Sequence, residues 1–187
     1  MKTTFKTIIA SVVLFTSILS VNAQKNYTLD PKPSFSVSGT STMHDWEMKS
    51  GTATGTANLT VTSGKLESIT SLSITLPAET IKSEKKSMDK VAYEALKTKA
   101  NKNIKYVLKS AQKVNETTWN LTGTYTIAGV SKEIKTQVKT AVVNGSVSLQ
   151  GTNKITFKQF GMKSPTAMLG TIKTGEDLTL KFNLKFN

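Results

Sequence analysis

Apolar and polar residues alternate one by one over most of the chain from Phe35 to the C-terminus. In "TWNLTGTYTI" (residues 118–127), every second residue from Trp119 onward is glycine or a large apolar residue, and those between are threonine or asparagine. Neighbouring side chains of a β-strand point to opposite faces, so one face of this segment is predicted to be core and the other wet. The last segment, "LTLKFNLKF" (residues 178–186), has the same pattern. The chain is therefore predicted to be all-β and antiparallel.

Turn sequences separate about eight such runs. Ser63-Gly64 and Asn144-Gly145 are typical of tight hairpin connections between antiparallel strands. One sheet of about eight strands joined in this way predicts a β-barrel formed by a single domain over residues 24–187. The chain has no cysteine, so disulfides and thiolate metal sites are excluded, and burial alone must hold the core.

The alternation stops between Thr80 and Asn103, where residues of high helix propensity take over. Ser87 or Asp89 is placed to cap the start of a helix. We predict a short amphipathic helix, or two, inserted between strands, with two roles open: a plug over one end of the sheet or a lid over a cavity. The apolar residues at helical spacing are Met88, Val91, Ala92, Ala95 and Leu96.

Residues 1–23 have the features of a secretory signal peptide. Lys2 and Lys6 precede a short apolar run, and Val21-Asn22-Ala23 fits a small-x-small cleavage site. The run is shorter than the ~20 residues that span a bilayer, although a retained anchor stays an alternative. We expect cleavage after residue 23 and a periplasmic or secreted protein.

Cleavage would remove Lys2 and Lys6 from the 25 basic residues, leaving 23 against 12 acidic ones, a formal charge of +11. Export argues against nucleic acid as a partner, so an anionic membrane surface or cell-surface polymer is the more natural binding partner for this positive charge. Lysines that only solvate an exposed sheet are the other interpretation.

Several residues on the predicted inward faces of the strands are small. Such residues either let a neighbouring strand or helix approach closely or leave a space inside the barrel, and the sequence leaves both options open. The other inward residues are apolar, so a ligand that filled the space would be a lipid or a similar molecule. The small inward residues are Ala53, Gly55, Ala57, Gly123 and Gly151.

The only histidine, His44, lies in "GTSTMHDWEMKSG" (residues 39–51), with Ser41 and Asp45 nearby. A hydrolase needs a nucleophile, a base and a group that orients the base. Adjacent side chains of a strand point apart, so His44 and Asp45 would not easily pair. One histidine and scattered carboxylates also predict no metal site. We therefore expect no enzyme, with His44 in a structural turn or at the barrel mouth and Trp46 touching a ligand.

Four segments resemble the YceI-like family: "YTLDPKPSFSVSGTS" (27–41), "LTGTYTIAGVSKEI" (121–134), "ITFKQFGMKS" (155–164) and "GEDLTLKFNLKF" (175–186). Their order and spacing match along essentially the whole chain after residue 23. The resemblance implies an exported, lipocalin-like antiparallel barrel with an elongated apolar tunnel for a polyisoprenoid chain, such as a quinone tail, and no catalytic residues. It also places Phe160-Gly161-Met162 in the tunnel lining.

Two features depart from the family pattern. Gln159 stands where the family commonly has an acidic residue, and the helical segment at residues 88–106 replaces a more aromatic and acidic one. The head group and the chain length of a ligand therefore stay open.

The inward-facing positions of the alternation and the resemblance to the YceI-like family together predict which residues line the ligand site. It consists of Phe35, Val37, Trp46, Gly55, Ala57, Ile74, Tyr106, Leu108, Trp119, Gly123, Tyr125, Phe157, Phe160, Met162 and Phe182. We predict an exported binding protein that sequesters or carries a polyisoprenoid or quinone-like lipid, with no cofactor besides that lipid. The alternative is a basic, stress-related interaction protein whose barrel is filled by its own side chains. The oligomeric state is open, with a homodimer as one option.

Overall fold

The computed structural model describes residues 24–187, which form one antiparallel sheet with a short helix. Eight strands contain eight or more residues, as the alternation predicts, and three short ones bring the total to eleven. The predicted signal peptide lies outside the described residues. The strands are β1 (Lys25–Thr28), β2 (Ser34–Ser41), β3 (Trp46–Ser50), β4 (Thr54–Thr62), β5 (Lys65–Pro77), β6 (Asn103–Asn115), β7 (Thr118–Ile127), β8 (Val130–Val143), β9 (Ser146–Thr156), β10 (Thr166–Ala167) and β11 (Ile172–Phe186).

The sheet curls into a half-barrel. Its strand order is β1-β4-β5-β6-β7-β8-β9-β11-β2-β3, with β10 paired only to β11. β1 also reaches the end of β11, because the Thr28 N–H donates to the Asn187 carbonyl at 3.0 Å and the Asn187 N–H donates to the Thr28 carbonyl at 2.9 Å. These bonds form a seam between strands that lie far apart in the sheet order.

Alternate residues of each long strand point inward and form the core. In β7, Trp119 and Leu121 are buried, and in β11, Leu184 and Phe186 are buried. The buried residues form two clusters, a larger one that includes Leu59 and a smaller one around the β9–β11 connection. The period-2 pattern therefore assigns the core faces of these strands correctly.

The predicted helix is α1 (Lys86–Ala95), in the connection between β5 and β6. Its N-cap is Lys85, which makes no capping hydrogen bond through its side chain, so neither predicted cap serves as the N-cap. Asp89 instead points back to the preceding loop, where its carboxylate accepts the Ser83 N–H at 2.7 Å and the Ser83 hydroxyl at 2.8 Å. Among residues 24–187, no helix is long and apolar enough to cross a membrane.

Candidate functional site

The inside of the curled sheet holds a cavity of about 130 Å³. Its walls come mainly from β2, β5, β6, β7 and β11, with a few residues from other strands, and are almost entirely apolar. Phe35 and Phe182 form one side, and Ile74 and Tyr106 form another. The described part of the barrel is therefore not filled by its own side chains.

A second cavity, of about 500 Å³, lies at the end of the sheet where α1 packs. The two cavities are neighbours, because six residues line both. Together they form an elongated apolar space that runs from the barrel interior to one end of the sheet. The shared residues are Val37, Met48, Ile81, Ile104, Ile127 and Leu180.

Three connections between strands build the mouth of the larger cavity, and we call them together the mouth. They are residues 42–45 after β2, 78–102 around α1, and 157–171 between β9 and β11. All five apolar helix residues predicted from helical spacing line this cavity. The helix therefore roofs a space instead of filling it, which corresponds to the lid and not to the plug.

Nine of the fifteen predicted lining residues border the two cavities. Whether they contact a ligand stays a prediction, because the geometry places them only on the cavity walls. The nine are Phe35, Val37, Trp46, Ile74, Tyr106, Tyr125, Phe157, Met162 and Phe182.

The other six predicted lining residues lie elsewhere. Gly55, Ala57, Leu108, Trp119, Gly123 and Phe160 are absent from both cavity walls. Ala57 and Trp119 are buried in the larger core cluster, and Leu108 packs against it. Phe160 is fully buried in the smaller cluster, because it ends a tight turn that directs its ring into the core.

The inward glycines accommodate neighbouring side chains. A Cβ on Gly123 would collide with the Tyr106 ring, and one on Gly151 would collide with the Phe182 ring. A Cβ on Gly55 would lie 2.7 Å from the Ile74 side chain. Of the two interpretations left open by the sequence, close approach describes these three positions. The cavities arise instead from the spacing between the sheet, α1 and the mouth.

A small polar cluster lies inside the barrel beside the smaller cavity. The Asn153 side-chain amide donates to the Tyr125 hydroxyl at 2.9 Å and to the Thr136 hydroxyl at 2.6 Å, and these two hydroxyls are 3.0 Å apart. Neither Thr136 nor Asn153 is among the predicted site residues. The alternation could have identified them, because it places both polar residues on the inward faces of β8 and β9.

Two buried tyrosines face each other beside this cluster. The rings of Tyr106 and Tyr125 are 4.8 Å apart and meet edge to face. The Tyr106 hydroxyl is buried and has no hydrogen-bond partner within residues 24–187. Burial raises the pKa of both hydroxyls, most strongly that of Tyr106. Tyr106 is thus a free hydrogen-bond donor on a mostly apolar wall.

His44 lies in an exposed loop at the mouth, and its hydrogen bonds are local. Its Nδ1 is 2.7 Å from the carbonyl of Asp45. The Ser41 hydroxyl donates to the His44 carbonyl at 2.7 Å and accepts the His44 N–H at 3.2 Å. Ser41 therefore shapes the turn through backbone bonds, and the hydrogen bonds of this loop contain no serine–histidine relay.

The fold is similar to solved structures of low sequence identity. Burkholderia cenocepacia BcnA is 14% identical, with a TM-score of 0.68, over 82% of this chain and 95% of that chain. A polyisoprenoid binding domain from Saccharophagus degradans, implicated in plant cell wall breakdown, is 11% identical with a TM-score of 0.65, over 86% and 97% of the two chains. The Campylobacter jejuni YCEI protein is 21% identical with a TM-score of 0.55, over 63% and 72%. Comparison with curated proteins finds no match.

At sequence identities of 11–21%, the similarity to these structures shows a shared fold and nothing more. Stronger evidence comes from the sequence, because the model of the YceI-like domain matches residues 27–186, nearly the whole described chain. The resemblance seen in four separate segments is thereby confirmed over the full domain, and the chain belongs to the YceI-like family.

Proposed function

We propose that this protein carries a long apolar lipid, of the polyisoprenoid or quinone type, in the space between the curled sheet and α1. The observation that carries this proposal is the pair of adjacent apolar cavities, of about 130 and 500 Å³, with six residues in common. The larger volume lies within the roughly 300–1,000 Å³ typical of small-molecule sites.

The lining favours an apolar chain over a charged ligand. Apolar surface taken out of water contributes about 25 cal/mol per Å², or about 0.8 kcal/mol for each buried methylene. A charged group at the inner end would lack a buried opposite charge, because the two lysines that border this cavity, Lys105 and Lys181, are exposed. The polar side chains inside the sheet there are hydroxyls and the amide of Asn153. The lipid tail therefore occupies the inner cavity, and a polar head lies toward the mouth.

The family relationship supports the same ligand class. A similar domain, that of Saccharophagus degradans, is described as polyisoprenoid-binding. The signal-peptide features of residues 1–23 support export, so the proposed carrier works in the periplasm or outside the cell.

Native mass spectrometry with organic extraction tests this function. The protein is recovered from the periplasm of a bacterial host and measured with and without added long-chain quinone. We expect a co-purifying apolar species or uptake of the quinone. A ligand-free mass under both conditions would contradict the carrier and favour a protein that acts through its surface.

A matched pair of variants locates the ligand. Ile104 and Val107 both lie on β6, but Ile104 lines both cavities, whereas Val107 is 53% exposed on the outer face. Ile104→Trp fills the junction of the cavities and is expected to lower quinone uptake at least about tenfold, while Val107→Trp keeps it. Equal uptake by two folded variants would place the lipid elsewhere.

A further inference from the structure

Exposed apolar side chains are concentrated at the mouth. Within residues 24–187, six large apolar residues are exposed, and three of them belong to the mouth: Met43 at 68%, Met168 at 72% and Leu169 at 109%. The others, Val107, Val114 and Val143, are single residues on β6 and β8. Single exposed valines on strands are common, but a group of exposed apolar side chains at one opening indicates a binding surface. We call the side chains of Met43, Met168 and Leu169 the apolar tips.

The loops that carry these tips adjoin each other. The Thr42 N–H donates to the Lys173 carbonyl at 3.0 Å, and the Lys173 N–H donates to the Thr42 hydroxyl at 3.2 Å. Met43 and Met168 also line the 500 Å³ cavity. The exposed apolar group is therefore continuous with the wall of the proposed lipid site.

The backbone at the most exposed tip is unfavourable for its residues. Met168 and Leu169 have φ values of 51° and 55°. This left-handed conformation costs a residue with a side chain roughly 1–2 kcal/mol and is usually taken by glycine or asparagine. Here it turns two apolar side chains outward, where most of their surface is exposed.

The mouth also carries positive charge. Its three connections contain nine lysines and five acidic residues, a formal charge of +4. None of the five ion pairs formed within residues 24–187 uses a lysine of the mouth. By contrast, the hairpin turns at the opposite end, 63–64, 116–117 and 144–145, hold a single charged residue, Glu116. Lysines around apolar tips match an anionic bilayer surface.

We propose that the mouth docks onto an anionic lipid bilayer, with Met43, Met168 and Leu169 inserted among the lipids, so that a lipid passes between the bilayer and the cavity without crossing water. This inference rests on the proposed lipid-carrying function and adds the partner surface through which the cavity is loaded or emptied.

Vesicle co-sedimentation tests the docking. The vesicles contain equal parts of phosphatidylglycerol and phosphatidylcholine, with pure phosphatidylcholine as the comparison. Leu169→Asn removes the most exposed apolar side chain, suits the left-handed turn and leaves both cavity walls unchanged. Val114→Thr/Val143→Thr is the control, because it removes two exposed apolar residues at the opposite end. All proteins keep the N-terminus of the exported parent, so any contribution of residues 1–23 is the same in each.

We expect the parent and the control to bind the anionic vesicles, more weakly as salt rises, and the asparagine variant to bind about tenfold more weakly. Equal binding by all three proteins, or no binding by the parent, would overturn the proposal. Burial of the tips in a dimer would overturn it too, and would appear as a parent dimer that Leu169→Asn converts to a monomer.

Lipid uptake measured without vesicles separates this proposal from the proposed function. The asparagine variant is expected to take up quinone added from ethanol as the parent does, because Leu169 borders neither cavity. Normal uptake with lost vesicle binding supports docking as a separate step. Absence of uptake by every protein would contradict the carrier function, whatever the vesicles show.

Discussion

At the scale of single residues, Tyr106 and Tyr125 differ in how their hydroxyls are satisfied. Tyr125 bonds to Thr136 and Asn153, whereas the buried hydroxyl of Tyr106 lacks a partner within residues 24–187. A buried polar group without a partner costs roughly 1–3 kcal/mol. The barrel therefore keeps one costly group on its cavity wall.

Replacing each tyrosine by phenylalanine should have opposite effects. Tyr106→Phe removes an unpartnered hydroxyl and is expected to raise the free energy of unfolding by about 1 kcal/mol. Tyr125→Phe removes two hydrogen bonds and is expected to lower it by about 1–2 kcal/mol. Urea denaturation of lipid-free protein measures both changes. Destabilisation by Tyr106→Phe would mean that its hydroxyl is satisfied in solution.

The same two residues predict a loss of stability at alkaline pH. Burial holds the pKa of both hydroxyls above the unfolded value of about 10. Below that pH both states are protonated, and above it only the unfolded tyrosines lose their protons. The free energy of unfolding should thus fall as pH rises from about 10 toward the raised values.

Thermal unfolding between pH 8 and 11.5 checks this, with Tyr106→Phe as the comparison. The variant should lose less stability over the alkaline range than the parent. Parallel curves for the two proteins would show that Tyr106 does not contribute to the pH dependence.

At the scale of elements, α1 is a cavity roof held by a few polar contacts. The Asp89 carboxylate binds Ser83 at the start of the helix. Beyond its end, the Thr98 hydroxyl donates to the Glu79 carboxylate at 2.8 Å. From within the helix, the Tyr93 hydroxyl donates to the Glu79 carbonyl at 2.8 Å. With its apolar face over a cavity, the helix lacks the dense packing that fixes the strands.

Removing the Asp89 contact should loosen the roof without unfolding the sheet. Hydrogen bonds to a charged group contribute about 1.5–3 kcal/mol. We therefore expect Asp89→Ala to speed amide hydrogen exchange in α1 roughly tenfold or more while β7 and β8 stay protected. Glu94→Ala, which removes an exposed carboxylate from the same helix, is the control. Faster exchange throughout the sheet would instead indicate that α1 and the barrel unfold together.

At the scale of the whole molecule, the sequence predicts the strands and the helix because their signals are local. A period of two or 3.6 residues is visible in one segment and fixes which face of it is buried. The cavity depends on relations between segments. An apolar helix face looks the same in a plug and in a lid, and only the distance between α1 and the sheet distinguishes them.

The same limit applies to individual site residues. That Gly123 lies under the Tyr106 ring follows from the pairing of β6 with β7, which composition does not reveal. Asp89 has the residue type of a helix cap, but its partner Ser83 lies in the preceding loop. Met168 and Leu169 gave no periodic signal, because their exposure results from a turn in left-handed conformation.

The seam between Thr28 and Asn187 sets the order in which the chain can complete its fold. Its two sides are separated by nearly the whole described sequence, and the Asn187 side-chain amide also donates to Asp30 at 3.2 Å. A contact of such long sequence separation pays a large loop-closure entropy and forms late. Until the segment that ends β11 has been synthesised, β1 has only β4 as its partner, so the seam can form only after nearly all of the described chain is available.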